Sequence, residues 1–242
     1  MAKGKPFAAF DIDGTLIRWQ LYHALADRLA KLGHINPEVF EKITEARMEW
    51  KRRQHAESFK EYEIELVNLF ERILKEINVD HFEQAASAVF EEYKDQVYIY
   101  TRELLKQLKK DGYLLFAISA SQAVLVQKIA RYYGFDDFAG AEYKQVKGRF
   151  TGEIGSVYGH KDTILKELAT KHKVSFEKSL AVGDSTSDIA MFELVEQPVV
   201  FNPEKKLFAV AKKNGWKVVI ERKNMIYELE KRDGNYQLVK AG

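Results

Sequence analysis

Five short apolar runs, most of them followed by a helix-forming stretch, limit what this chain can fold into. They are FAAF ahead of Asp11, YLLFAIS ahead of Ala120, SLAVGD ending at Asp184, PVVF ending at Phe201 and WKVVI ending at Ile220. Each reads as a buried strand. Between the second and third lie QAVLVQKIARYYG and KDTILKELATKH, and EKKLFAVAKKNG follows the fourth; all three carry apolar residues at helical spacing and two stop at glycine. This alternation predicts an α/β fold in which a mostly parallel sheet is covered by helices, with ligands bound beyond the carboxyl ends of the strands. Asp11, Ser119 and Asp184 fall at those ends.

From Arg18 to Asp95 the rhythm stops. LYHALADRLAKLG, PEVFEKITEARMEWKRR, FKEYEIELVNLFERILKEI and HFEQAASAVFEEYKDQ read as successive amphipathic helices with no strand among them. The expected organisation is a core of residues 1–17 and 96–220, an inserted helical cap of residues 18–95 that excludes water and selects substrate, and a carboxyl-terminal β-hairpin appendage of residues 221–242. That hairpin turns at Asp233-Gly234. AEYKQVKGRFTGEI reads as a small β-excursion around Gly148.

The chain's 242 residues suffice for one large domain or a domain carrying an insert. A net charge of +2 gives no bias toward nucleic acid. Without cysteine there is neither a disulfide nor a thiolate metal site, which fits a cytoplasmic setting. MAKGKPFAAFDIDG begins like a secretory signal, but its apolar run is short and meets two aspartates, so it reads as a strand. No stretch approaches the roughly 18 apolar residues of a membrane span.

Asp11 and Asp13 stand two apart at a strand end, directly before Gly14-Thr15. Two close negative charges repel, and a bound cation, a shared proton or exposure to water each relieves them. VGDSTSDIAMF adds Asp184 and Asp188, so three or four carboxylates can gather around one point. Magnesium takes such hard oxygen ligands together with waters and a substrate phosphate. The lack of cysteine and scarcity of histidine argue against zinc. An EF-hand fails because, counting from Asp11, glycine comes fourth and Tyr22 twelfth. A phosphoryl group on that magnesium finds donors in Ser119, with its neighbouring backbone N–H groups, and in Lys161 at the start of a helix. Asp11 is then the expected nucleophile on phosphorus, giving an aspartyl-phosphate, and Asp13 the acid and base that serves both halves of the cycle. Gly14, Thr15 and Ala120 are the expected substrate contacts.

These four stretches, in this order, resemble the haloacid dehalogenase superfamily of phosphohydrolases. DIDGT is similar to its first motif, Ser119 to its second, Lys161 to its third and GDSTSD to its fourth. The resemblance implies a Rossmann-like core and magnesium held by the Asp11 carboxylate, the Asp13 backbone carbonyl and Asp184, with Asp188 supporting the metal or its waters. The insert directly after the first motif, with ISASQAVLVQKIARYYGFDD and GDSTSDIAMFELVEQPVVFNPEKKL, resembles the branch that contains phosphoserine phosphatase. Phosphoserine-specific members are expected to carry a glutamate nine positions after the nucleophile, where this chain has Gln20. An amide hydrogen-bonds an amine without its counter-charge, which points away from phosphoserine.

The reading is a magnesium-dependent phosphomonoesterase acting on a small phosphorylated metabolite. A phosphotransferase using the same aspartyl-phosphate, or a non-hydrolytic phospho-acceptor or binding module, is the alternative. Locally, Ser121 competes with Ser119 and Lys166 with Lys161, and the DSTSD stretch also suits a helix cap. The basic run WKRRQH reads as a solvated face, Trp19, Tyr22 and Trp50 as helical core, and the six histidines as structural or exposed. GSVYGHKD is not a nucleotide loop, since three residues separate Gly155 from Gly159 and His160 interrupts the Gly-Lys pair.

Overall fold

The computed structural model describes residues 4–53, 55 and 57–242. Gln54 of the basic run and Lys3 of the amino-terminal stretch lie outside them. The strands are β1 (Phe7–Phe10), β2 (Leu114–Gln122), β3 (Asp137–Val146), β4 (Arg149–Gly155), β5 (Leu180–Gly183), β6 (Gln197–Phe201), β7 (Lys217–Arg222), β8 (Met225–Arg232) and β9 (Asn235–Ala241). The helices are α1 (Leu21–Lys31), α2 (Pro37–Lys51), α3 (Ser58–Ile73), α4 (Val79–Tyr93), α5 (Ile99–Lys110), α6 (Ala123–Tyr133), α7 (Lys161–His172), α8 (Ile189–Phe192) and α9 (Lys205–Asn214). All five apolar runs became strands. By contacts the chain divides into two compact units, Met1–Gln20 with Glu92–Ala141 and Ser156–Gly242, and Leu21–Glu91 with Glu142–Gly155.

In the first unit β1 is buried along its whole length because parallel strands flank it, β2 on one side and β5 on the other. Such a strand shows no polar face, which is why it reads as an unbroken apolar run. Parallel pairing continues from β5 to β6 and β7, and from β2 to the first half of β3. Phe7, Phe116, Ile118, Leu165, Phe192, Leu207 and Val218 share one core with the helices on that face. Each fully buried large apolar side chain there contributes roughly 1.5–3 kcal/mol. Helix α6 ends where Gly134 takes φ +71°, a left-handed stop that a side chain resists. The parallel order places the ends of β2, β1 and β5 side by side, and Ser119, Asp11 and Asp184 with them.

The carboxyl-terminal hairpin differs from an appendage. β8 pairs antiparallel with β7 from Val218–Leu229 to Arg222–Met225, and β9 pairs with β8, so both prolong the main sheet. Its turn is as expected, with Asp233 and Gly234 both at positive φ.

The second unit holds α1 to α4 and the β-excursion. From Glu142 onward β3 pairs antiparallel with β4, and a bridge from Asn78 to Arg149 joins β4 to the helical segment, so 142–155 groups with the helices instead of the core. Tyr22 packs edge-on against Phe70, and Trp50 stacks on Tyr62 with ring centres 5.6 Å apart. Both are half-buried in this unit. Lys51, Arg52 and Arg53 are exposed. His23 lies buried against Tyr62, His34 stacks on His81, and in the first unit His172 Nε2 lies 2.6 Å from Asp137 Oδ2. Among the described residues no helix is long and apolar enough to cross a membrane.

Candidate active site

Asp11 still behaves as strand, its N–H donating to the Val182 carbonyl of β5 at 2.9 Å. Beyond Ile12 the chain folds over. The Ile12 carbonyl accepts from Leu16 and Ile17 N–H at 2.9 Å each, and Gly14 takes φ +75° inside this turn. The acid pair therefore does not remain extended, and its two carboxylates meet different partners. Asp11 Oδ1 accepts from Lys161 Nζ at 2.7 Å, whereas Asp13 Oδ2 accepts from the Ser119 hydroxyl at 2.6 Å.

Lys161, the first residue of α7, is 2% exposed and also donates to Asp188 Oδ1 at 2.6 Å. Its competitor Lys166 is exposed and pairs with Asp162. The Ser119 hydroxyl is the one bonded to Asp13, and the Ser121 backbone N–H donates to the Ser119 oxygen at 3.0 Å. Ala120 is the exposed residue in an otherwise buried stretch of β2. Thr15 is buried, its carbonyl accepting from the Thr101 hydroxyl at 2.8 Å while its own hydroxyl has no partner. Gln20 is half-buried at the end of this segment.

The DSTSD loop forms the helix cap that its sequence suits. Ser185 caps the short 3-10 turn Thr186–Asp188, and Asp188 Oδ2 accepts from the Asp184 and Ser185 N–H groups at 3.1 Å each. The remaining Asp188 oxygen holds Lys161. Two glycines make this approach possible. A Cβ on Gly183 would stand 2.4 Å from the Asp188 carboxylate, and one on Gly14 would stand 2.2 Å from Asp184 Oδ2. Sequence reasoning missed Gly183. It also missed Glu204, whose N–H donates to the Asp184 carbonyl and whose carboxylate accepts from Thr186 N–H, because nothing local marks either as a neighbour of the site.

Carboxylate oxygens of Asp11, Asp184 and Asp188 lie within 4.8 Å of one another. The Asp13 carboxylate is not in this set. Three carboxylates against the single Lys161 ammonium leave two negative charges in excess in a buried place. Burial, and then the charges of Asp188 and Asp13, push Asp11 up to about 7 against the pull of Lys161. Burial, then Asp11 and Asp188, hold Asp184 well above the usual carboxylate range. Burial opposes the Lys161 charge, but Asp11 and Asp188 outweigh it and keep the ammonium protonated. A hard dication fits this donor set, since it takes carboxylate oxygens and cancels the excess. Asp11 and Asp184 can supply oxygens directly, while both Asp188 oxygens already accept from nitrogen donors.

The haloacid dehalogenase-like hydrolase family profile matches residues 8–193, from β1 through the DSTSD loop. The chain belongs to this family. Among relatives of this haloacid dehalogenase-like hydrolase, the phosphoserine phosphatase of Archaeoglobus fulgidus is 30% identical over 210 residues, 86% of this chain. The match spans 55% of that longer protein. The phosphoserine phosphatase of Methanocaldococcus jannaschii is 29% identical over 205 residues, 83% of this chain and 87% of its own. A crystal structure of phosphoserine phosphatase in apo form superposes with a TM-score of 0.61 at 22% identity, covering 90% of this chain and 94% of that one. In sequence and fold, then, this hydrolase is phosphoserine phosphatase-like.

Proposed function

We propose that this hydrolase is a magnesium-dependent phosphomonoesterase acting on a small phosphorylated metabolite through an aspartyl-phosphate. The observation that carries the reading is the buried Lys161 held between Asp11 and Asp188, with Ser119 bonded to Asp13 on the adjacent strand end. Asp11 attacks phosphorus, forming an O–P bond as the ester O–P bond breaks, and the departing alkoxide takes its proton from Asp13. In the second half Asp13 removes a proton from the attacking water, and phosphate leaves as the Asp11 carboxylate is restored. Ser119, Lys161 and the backbone N–H of Ala120 steady the phosphoryl oxygens, the positioning on which phosphoryl transfer mainly depends. Asp11, the Asp13 carbonyl and Asp184, with Asp188 in support, would hold magnesium, which would supply charge neutralisation. Helical residues 21–91 serve as the substrate-selecting insert, and a cysteine-free chain accords with the cytoplasm.

The test is release of inorganic phosphate from p-nitrophenyl phosphate with magnesium and no added acceptor. Many turnovers, lost with a chelator, support hydrolysis. A single stoichiometric phosphorylation points to a phospho-acceptor module, and turnover that needs an added alcohol points to a transferase.

A further inference from the structure

Glu204 stands at the N-cap of α9, yet its side chain makes no capping bond to that helix. Its carboxylate instead accepts from the Thr186 N–H, 18 positions back in the chain, at 3.2 Å, and its own N–H donates to the Asp184 carbonyl at 3.3 Å. Two bonds from one residue thus span the stretch that carries Asp184. The other N–H groups of that stretch find acceptors inside the loop: Asp188 Oδ2 accepts from Asp184 and Ser185, and Ser185 Oγ from Ser187. Glu204 fastens the loop from outside it. The segment that presents Glu204 is held in turn, since Asn202 donates its N–H to the Val219 carbonyl at 2.8 Å and its side-chain oxygen accepts from the Glu221 N–H at 2.8 Å. Pro203 restricts the backbone between that anchor and Glu204. The strand register brings the two segments together, because β5 and β6 pair in parallel with Gly183 opposite Val200.

We infer that Glu204 is a positioning residue, which fixes the Asp184–Thr186 stretch so that Asp184 presents its carboxylate to a divalent cation beside Asp11. This rests on the phosphomonoesterase reading and adds to it a residue on which the metal site depends. Asp184 follows directly on the last residue of β5, so the sheet itself no longer holds it. Thr186 opens the short 3-10 turn that ends at Asp188, and an N–H at the start of such a turn has no acceptor within it. Glu204 supplies that acceptor and ties the turn to the end of β6. Groups that orient a metal ligand in this way, without touching the metal, set how tightly the ligand binds. The bond and not the charge does this, and a carboxamide oxygen at the same reach accepts from Thr186 N–H as well.

The experiment titrates the metal-free protein with magnesium by calorimetry in wild type, Glu204→Ala and Glu204→Gln, and follows p-nitrophenyl phosphate turnover against magnesium concentration. Glu204→Ala is expected to bind magnesium about tenfold more weakly and Glu204→Gln within about twofold of wild type. At saturating magnesium kcat of Glu204→Ala should return to within about threefold of wild type, which places the loss in the metal dependence and not in the chemical step. Should Glu204→Ala not fold, Glu204→Asp, one methylene too short to reach Thr186, takes its place. Equal magnesium affinity in wild type and Glu204→Ala overturns the inference, and turnover by wild type then leaves the phosphomonoesterase reading standing. The inference also fails if Glu204→Gln weakens magnesium as much as Glu204→Ala, since the charge then acts and not the bond. Weaker binding by Glu204→Ala alone, with no turnover in wild type, removes the phosphomonoesterase reading and keeps Glu204 as the fastening of a metal site.

Discussion

Lys161 Nζ donates to Asp11 Oδ1 at 2.7 Å, joining two buried side chains that stand 150 positions apart in the chain. The ammonium is what allows a carboxylate at the end of a fully buried strand to carry charge at all.

Lys161→Met removes that counter-charge and leaves Asp11 and Asp188 buried without it. Breaking a buried pair in this way costs about 3–5 kcal/mol. Urea unfolding at neutral pH should show that loss, and the deficit should shrink at pH 5 as the Asp11 carboxyl protonates. Phosphate release should fall to background.

Asp11→Asn keeps the side-chain shape and lowers the negative excess from two charges to one, while Lys161 retains Asp188. The variant should fold, with melting close to wild type in the absence of magnesium, and lose turnover on the order of 10⁴-fold or more. Near-normal activity would show that another group attacks phosphorus.

The pH dependence follows from the raised carboxyls. Burial, with the charges of Asp188 and Asp13, lifts Asp11 from 3.8 to about 7, so the folded metal-free protein holds a proton that the unfolded chain gives up. Stability from this group is present below the unfolded value and is lost as pH rises from 3.8 toward 7. Magnesium must displace the same proton. Its affinity should weaken as pH falls below about 7, by roughly tenfold per unit for each proton displaced. Calorimetric titration at pH 6 and 8, in buffers of different ionisation enthalpy, should detect the released proton.

Ser119 and Ser121 separate by the same logic. Ser119→Ala deletes the hydroxyl that donates to Asp13, and should cost on the order of 10²-fold in kcat/KM. Ser121→Ala leaves the backbone N–H that donates to the Ser119 oxygen, and should retain activity near wild type. Steady-state kinetics on an aryl phosphate decides between them.

Glu221 accepts from the N–H groups of Ile99 at 3.1 Å and Tyr100 at 2.8 Å, capping α5 from β7. Glu221→Ala should lower stability by about 1–2 kcal/mol in chemical denaturation, with kcat/KM unaffected. Loss of activity at full stability would place Glu221 in the chemistry.

Burial leaves a periodic mark, and much of this fold was legible for that reason. A strand enclosed on both sides must be apolar throughout, so FAAF, SLAV and PVVF declared themselves as β1, β5 and β6. The first half of β3, DFAGA, did not, because it is only partly buried and lacks an apolar run. Positive φ at Asp233 and Gly234 suits an Asp-Gly turn, so that hairpin was legible too, but not its attachment to β7.

By itself the sequence determined most of the strands, where acids and hydroxyls would sit along them and that the carboxylates would outnumber their cation. Those properties depend on neighbours within a few residues. Only the tertiary structure decided that Asp13 turns to Ser119 while Asp11 joins Asp184 and Asp188, that Lys161 and not Lys166 is the buried cation, and that Glu221 caps a helix 121 positions away. The physical reason is that electrostatic and hydrogen-bond energies depend on separations of a few ångströms, and those separations come from strand order, which no local pattern carries.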